Sequence, residues 1–290
     1  MTITDLAAPL PVESPYATAL GVEIVAVDSE RAVLRLPFRE QNANPGGALH
    51  GGVAASLSVI GARAVTRAAL GEASGPWHTT GLHVSYLAAA INEAVSAEAR
   101  LLRRGKELCF LDVEVATAAG KPIARAAVAT RARLGKPPAS THAAAGDDGE
   151  IGPGPMGERV GSLGFIGGRG IVVELMKAGR SRLRMPWRAA NAAGGPADPA
   201  AAGTHEGAAL ALLDTAGAMA AWSVTGPGPY KASTPAIQAQ VLAPPPATDL
   251  VAFGRVVERD DEMFWSEVEV AEAESLRVCA RGVVLYRIVT

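Results

Sequence analysis

Apolar residues fall along this chain in two kinds of run. Most runs are short and alternate with polar residues, as Leu111, Val113 and Val115 do with Asp112 and Glu114, the period of a half-exposed strand. Two are long and almost unbroken, residues 53–70 and 208–222. Each consists largely of good helix formers and is opened by a turn-like segment with a histidine: His50 in Gly46-Gly47-Ala48-Leu49-His50-Gly51-Gly52, and His205 in Gly203-Thr204-His205-Glu206-Gly207. Gly71 closes the first and Gly226-Pro227-Gly228-Pro229 the second. A helix apolar on every side must be buried on every side, so a sheet has to wrap around it. The second helix contains one carboxylate, Asp214, which is costly there unless paired or used. The matching position in the first helix is Val59.

The rest of the chain repeats around these helices. Leu34-Arg35-Leu36-Pro37-Phe38 returns as Leu183-Arg184-Met185-Pro186-Trp187, and Phe110-Leu111-Asp112-Val113-Glu114-Val115 as Trp265-Ser266-Glu267-Val268-Glu269-Val270. Each copy reads strand, strand, helix, four strands. In the first copy the strands are expected at 22–27, 33–38, 79–87, 94–103, 107–117 and 122–133, with a short helix at 16–20. The domain reading is an N-terminal tail over 1–13, a first domain over 14–134, a flexible linker over 135–157 and a second domain over 158–290. The linker holds Lys136-Pro137-Pro138, Asp147-Asp148 and Gly152-Pro153-Gly154-Pro155, a composition that does not bury a core. Its literal G-x-G-x-x-G has two prolines and no preceding strand, which argues against a dinucleotide site.

Composition narrows the function classes. A net charge of −2 over 290 residues gives no reason to expect nucleic acid or an acidic membrane as partner. Cys109 and Cys279 sit in strand-like stretches and read as buried thiols of a reducing cytoplasm. The first cation is Arg31, unlike the charged start of a signal peptide. Arg63, Glu206 and Asp214 are expected to interrupt any membrane span. His78 and His83 lack partners at metal-ligand spacing, and no G-x-S-x-G elbow is present.

In each copy nine residues, roughly 13 Å of helix axis, separate the histidine from the acidic position. A helix start and its own acidic position therefore do not share one pocket. Two helices packed antiparallel bring the start of one beside the middle of the other, and a twofold relation makes two such junctions. The first joins Asn44, His50 and Gly51 to Asp214. The second joins His205 and Glu206 to Val59. Only the first sets a carboxylate against a helix N-terminus that carries no acidic neighbour, where free N–H groups stabilise an oxyanion. One working site and one degenerate site are expected.

At these residues the chain resembles the PaaI-like hotdog acyl-CoA thioesterases. His205, Leu212 and Asp214 keep that family's His–Leu–Asp spacing, His50-Gly51-Gly52 and Leu57 keep its glycines, and Val84-Ser85-Tyr86-Leu87 is similar to its third strand. The likeness covers roughly residues 16–133 and 160–289. It implies an α+β chain of two tandem hotdog folds, each an antiparallel sheet around a central apolar helix, packed as a pseudo-twofold dimer. It places the catalytic acid, a general base or nucleophile, on Asp214 and the oxyanion N–H on Gly51. Asn44, His50 and Thr234 take the supporting positions. Val59 for Asp, Glu206 for Gly and Pro199 for the second Asn depart from the pattern, with Asn191 a possible substitute. The implied function is hydrolysis of an acyl-CoA thioester by a cytoplasmic homodimer of tandem chains. No cofactor is needed beyond the coenzyme A of the substrate, and neither nucleic acid nor membrane is a partner. The alternative is a non-catalytic acyl-CoA binding protein; a hydratase, which needs a further acid–base pair, ranks last.

Overall fold

A computed structural model describes residues 14–135, 139–162, 164–194 and 203–289. The tail over 1–13, Lys136-Pro137-Pro138 and Pro199 lie outside the described residues. The first half runs through helix α1 (Pro15–Leu20), strands β1 (Glu23–Val27) and β2 (Arg31–Leu36), and a 3-10 turn at Glu40–Asn42. Helix α2 (Gly51–Leu70) and strands β3 (Trp77–Tyr86), β4 (Val95–Arg104), β5 (Leu108–Thr117) and β6 (Pro122–Ala132) follow. Helices α3 (Gly154–Val160) and α4 (Gly164–Gly168) open the second half. It continues with strands β7 (Val172–Lys177) and β8 (Arg180–Met185), a 3-10 turn at Ala189–Asn191 and helix α5 (Glu206–Thr225). Strands β9 (Lys231–Val241), β10 (Leu250–Arg259), β11 (Met263–Glu272) and β12 (Val278–Val289) complete it.

All twelve strands form one antiparallel sheet in the order β1-β2-β4-β5-β6-β3-β9-β12-β11-β10-β8-β7. Exchanging the halves turns this order into itself. The seam is the pairing of β3 with β9, from Leu82 opposite Ala239 to Ser85 opposite Ala236. Inward residues of both halves join one core with α2 and α5, among them Leu34, Leu57, Leu111, Val128, Leu183, Leu210, Val268 and Val284. Cys109 and Cys279 are buried and free.

Two expectations need correction. Both α2 and α5 are long and apolar enough to span a membrane, because one or two charges in an 18-residue window do not bring its mean hydropathy below that of a span. In the fold, most of each window is buried against protein. The stretch read as a flexible linker is also docked where it is described. Ala144 is buried with Val251, Ala271 and Val278. Its N–H donates to Leu276 O at 2.8 Å, and Val278 N–H donates to His142 O at 2.9 Å. Gly152 bridges Leu175, and the buried Arg182 holds Asp147 and Glu174 while donating to Glu150 O at 2.7 Å. Backbone pairing and one buried ion cluster anchor a sequence whose side chains alone are too small or too polar to form a core.

A cross-exchange ties the halves further. Tyr16 of α1 stacks on His205 with ring centres 5.0 Å apart, and Phe165 of α4 stacks on His50 at 4.7 Å. Tyr16 N–H donates to Ala192 O at 3.2 Å, and Phe165 N–H to Ala43 O at 3.0 Å. Each half thus covers the helix start of the other.

The helices approach closely because small residues meet. A Cβ on Gly52 would lie 2.7 Å from Ala211 Cα and would also overlap Ala211 Cβ, contacts that no side-chain rotation relieves. Gly52→Ala is expected to lower stability by about 1–3 kcal/mol through overpacking, read as a fall in the denaturant midpoint at unchanged slope.

Candidate active site

The N-terminus of α2 is built by its cap. His50 has extended backbone angles, and its Nδ1 accepts from Gly52 N–H at 3.0 Å. Val53 N–H donates to His50 O at 2.9 Å. Of the first helical N–H groups, which have no intrahelical acceptor, that of Gly51 enters none of these bonds. His205 caps α5 in the same way, with Gly207 N–H at 2.9 Å from Nδ1. Burial pushes His50 down to about 4, so its ring is neutral at physiological pH with Nδ1 as acceptor.

Asp214 reaches this helix start from the middle of α5. It is only 3% exposed. Thr234 of β9 donates its hydroxyl to Oδ1 at 3.0 Å, and the Gly52 N–H faces the carboxylate. His50 Nδ1 lies 3.8 Å from Oδ2; because the ring is neutral, this is proximity and not an ion pair. A Cβ placed on Gly51 would sit 2.7 Å from Asp214 Oδ2, so glycine is needed where the two helices bring backbone and acid together. Burial raises Asp214 to about 6, a shift opposed by the Thr234 and Gly52 hydrogen bonds. The acid is therefore largely ionised at pH 7 and still a competent base.

Four of the five residues read from sequence, Asp214, Gly51, His50 and Thr234, meet here. Among the described residues no hydrogen bond joins Asn44 to them. Its Oδ1 accepts from Gly46 N–H at 2.9 Å and Ala48 N–H at 3.1 Å, so it shapes the loop that delivers His50. Asn191 is the repeat mate of Asn42, not of Asn44. Asn191 Nδ2 donates to Arg169 O at 3.1 Å, as Asn42 Nδ2 donates to Leu20 O at 2.7 Å.

Sequence reasoning missed Tyr86. Its hydroxyl donates to Gly51 O at 2.9 Å, and its ring edge is 3.5 Å from the position of a Gly51 Cβ. Burial and the Asp214 charge hold the phenol far above its ordinary value, so it stays a donor. Its repeat mate is Val241, so the repeat itself gave no signal. Phe165 was missed because the partner it stacks on lies in the other half.

At the second junction the acid comes from the other side. Glu206, the first residue of α5, accepts from Thr79 N–H at 3.0 Å, and Val59 of α2 lies buried in the place of Asp214. Elsewhere, a concavity of about 1140 Å³ on the outer face of the sheet spans the β3–β9 seam near His83, Gln238, Phe110 and Phe253. Neither junction lines it.

Comparisons with known proteins agree with this architecture. Residues 7–131 match a family model described as a domain of unknown function, DUF4442. A Saccharolobus solfataricus protein provisionally named esterase SSO2140 is 28% identical over 108 residues, covering 37% of this chain and 75% of that protein. The crystal structure of an Alicyclobacillus acidocaldarius hotdog protein of unknown function superposes with a TM-score of 0.65 at 16% identity, over 96% of this chain and 99% of the other. That of a provisional thioesterase from Novosphingobium aromaticivorans gives 0.65 at 14% identity, over 92% and 98%.

A carboxylate whose folded value lies above its unfolded value of ~3.9 costs stability as pH rises, fully so above the folded value. For Asp214, about 6 when folded, the penalty is absent near pH 3 and complete by pH 8. Asp214→Asn is therefore expected to be more stable than wild type at pH 8 by on the order of 1–3 kcal/mol, with the difference vanishing at pH 3–4. Urea melts at the two pH values measure it. By its overall likenesses the chain has the hotdog fold.

Proposed function

We propose that the chain is a tandem of two hotdog repeats related by a pseudo-twofold axis, and that it hydrolyses acyl-CoA thioesters at the junction of α2 and α5. One observation carries this reading: a buried, Thr-bonded carboxylate faces a helix N-terminus whose Gly51 N–H takes part in none of the cap bonds. The thioester carbonyl oxygen accepts from Gly51 N–H at the positive end of α2. Asp214 takes a proton from water positioned by Thr234, and the resulting hydroxide attacks the carbonyl carbon. Direct attack by Asp214, giving an anhydride that water cleaves, uses the same geometry. Collapse breaks the C–S bond, and the protonated acid returns its proton to the thiolate. His50 fixes the helix start, Tyr86 holds the Gly51 peptide through its carbonyl, and Asn44 sets the loop. The esterase and thioesterase names of the similar proteins fit this chemistry.

On this reading the partners are an acyl-CoA and a second copy of the chain, the setting is the cytoplasm, and no cofactor takes part. The coenzyme A is part of the substrate.

Thiol release from hexanoyl-CoA tests the proposal. Asp214→Asn is expected to lower kcat at least 100-fold at pH 8, where the variant is no less stable than wild type. Wild-type turnover of hexanoyl-CoA by the variant, or binding of acyl-CoAs of every chain length without thiol release by the wild type, removes Asp214 as the base. The ionisation of Asp214 also sets a pH limb. With a value of about 6, the ionised fraction falls about tenfold between pH 7 and pH 5, and kcat/KM is expected to fall with it.

A further inference from the structure

The second junction has the same parts as the first with the acid moved to the facing helix. Thr79 is the repeat mate of Thr234. Thr234 binds an acid from mid-helix, Asp214; Thr79 binds one from the helix start, Glu206. Two departures from the repeat, Val59 for the acid and Glu206 for the glycine, leave a carboxylate on the same threonine. Simple decay requires only the first. Glu206 is buried, which raises it above its ordinary range. Its backbone N–H stands where Gly51 N–H stands, at the first position of a helix capped by a neutral histidine. A carboxylate close to the oxyanion donor does not distinguish this junction from the first, where Asp214 Oδ2 lies beside the Gly51 Cα.

The residues that follow along the helices beyond the two junctions differ in character. Along α5, four residues apart, Asp214 is followed by Ala218 and Trp222, and Trp222 Nε1 donates to the Tyr286 hydroxyl at 3.0 Å. Along α2 the matching positions are Val59, Arg63 and Arg67. Thr130, opposite Cys109 on β5, stands where Tyr286 stands opposite Phe264 on β11. Thr130 also pairs with Thr79 across the strands, and its buried hydroxyl has no partner among the described residues. Thr66 of α2 faces the Cys109 thiol opposite Thr130, and its buried hydroxyl has no hydrogen-bond partner among the described residues. Arg63 is half-buried and brings its charge to bear on Glu206. The first set is apolar and aromatic; the second offers a guanidinium and an unsatisfied hydroxyl, groups that bind a carboxylate.

We propose that the second junction is a second thioester-hydrolysing site, with Glu206 as its base and a preference for acyl groups that end in a carboxylate. This rests on the hydrolase reading of the first junction. Glu206 accepts a proton from water, the hydroxide adds to the thioester carbon, the C–S bond breaks, and the glutamic acid returns the proton to the departing sulfur. Water and thioester give acid and thiol, with no other reactant. Arg63 receives the distal carboxylate.

Hexanoyl-CoA and glutaryl-CoA separate the two sites in the full chain. The ratio of glutaryl- to hexanoyl-CoA turnover is expected to rise at least tenfold in Asp214→Asn and to fall at least tenfold in Glu206→Gln. Arg63→Ala, at a half-exposed position, is expected to raise KM for glutaryl-CoA at least fivefold, and it tests the proposal if Glu206→Gln fails to fold. A ratio equal to wild type in both acid variants, or loss of both activities in Asp214→Asn alone, overturns the second site while leaving the first. A wild type that turns over neither substrate overturns both.

Discussion

The structure depends on how closely two apolar helices approach. Because Gly51 and Gly52 carry no side chain, the start of α2 lies against Ala211 and Asp214 near the middle of α5. That contact takes a carboxylate out of water and gives it the hydroxyl of Thr234 and a backbone N–H in exchange. Hydrogen bonds recover only part of the desolvation cost, and the remainder appears as the upward shift of the acid. The sheet, the caps and the stacked rings serve to hold this contact in register.

Much of this was legible in the sequence because it is written twice. Two helices apolar all round demand a wrapping sheet, and nine residues between His and acid exclude a site within one helix. With the two helices packed antiparallel, a meeting of Asp214 with Gly51 is then the expectation. What was not legible depends on three-dimensional neighbours with no repeated signal. Tyr86 has Val241 as its mate, and the stacking of Phe165 on His50 crosses the halves. Ala144 docks through backbone bonds that composition does not encode. Asn44 drew attention by its spacing, yet its Oδ1 is engaged within its own turn.

The two junctions place two arrangements of the same groups on one framework. Both have a neutral histidine cap, a helix start and a strand threonine bonded to an acid. They differ in which helix supplies the acid and in which residues follow along the facing helix. Replacing Ala218 and Trp222 by Arg63 and Arg67 changes charge without moving the backbone, since these positions lie on the same face of equivalent helices.

The exchange of α1 and α4 has a consequence for biosynthesis. Tyr16 is synthesised 189 residues before His205 (205 − 16), the residue whose imidazole it rests on. Until that residue is made, the nascent first half has a bare aromatic ring and an unpaired β3 margin, both ready to engage a neighbouring polypeptide. Assembly is thereby tied to contacts of very long sequence separation, which slows it.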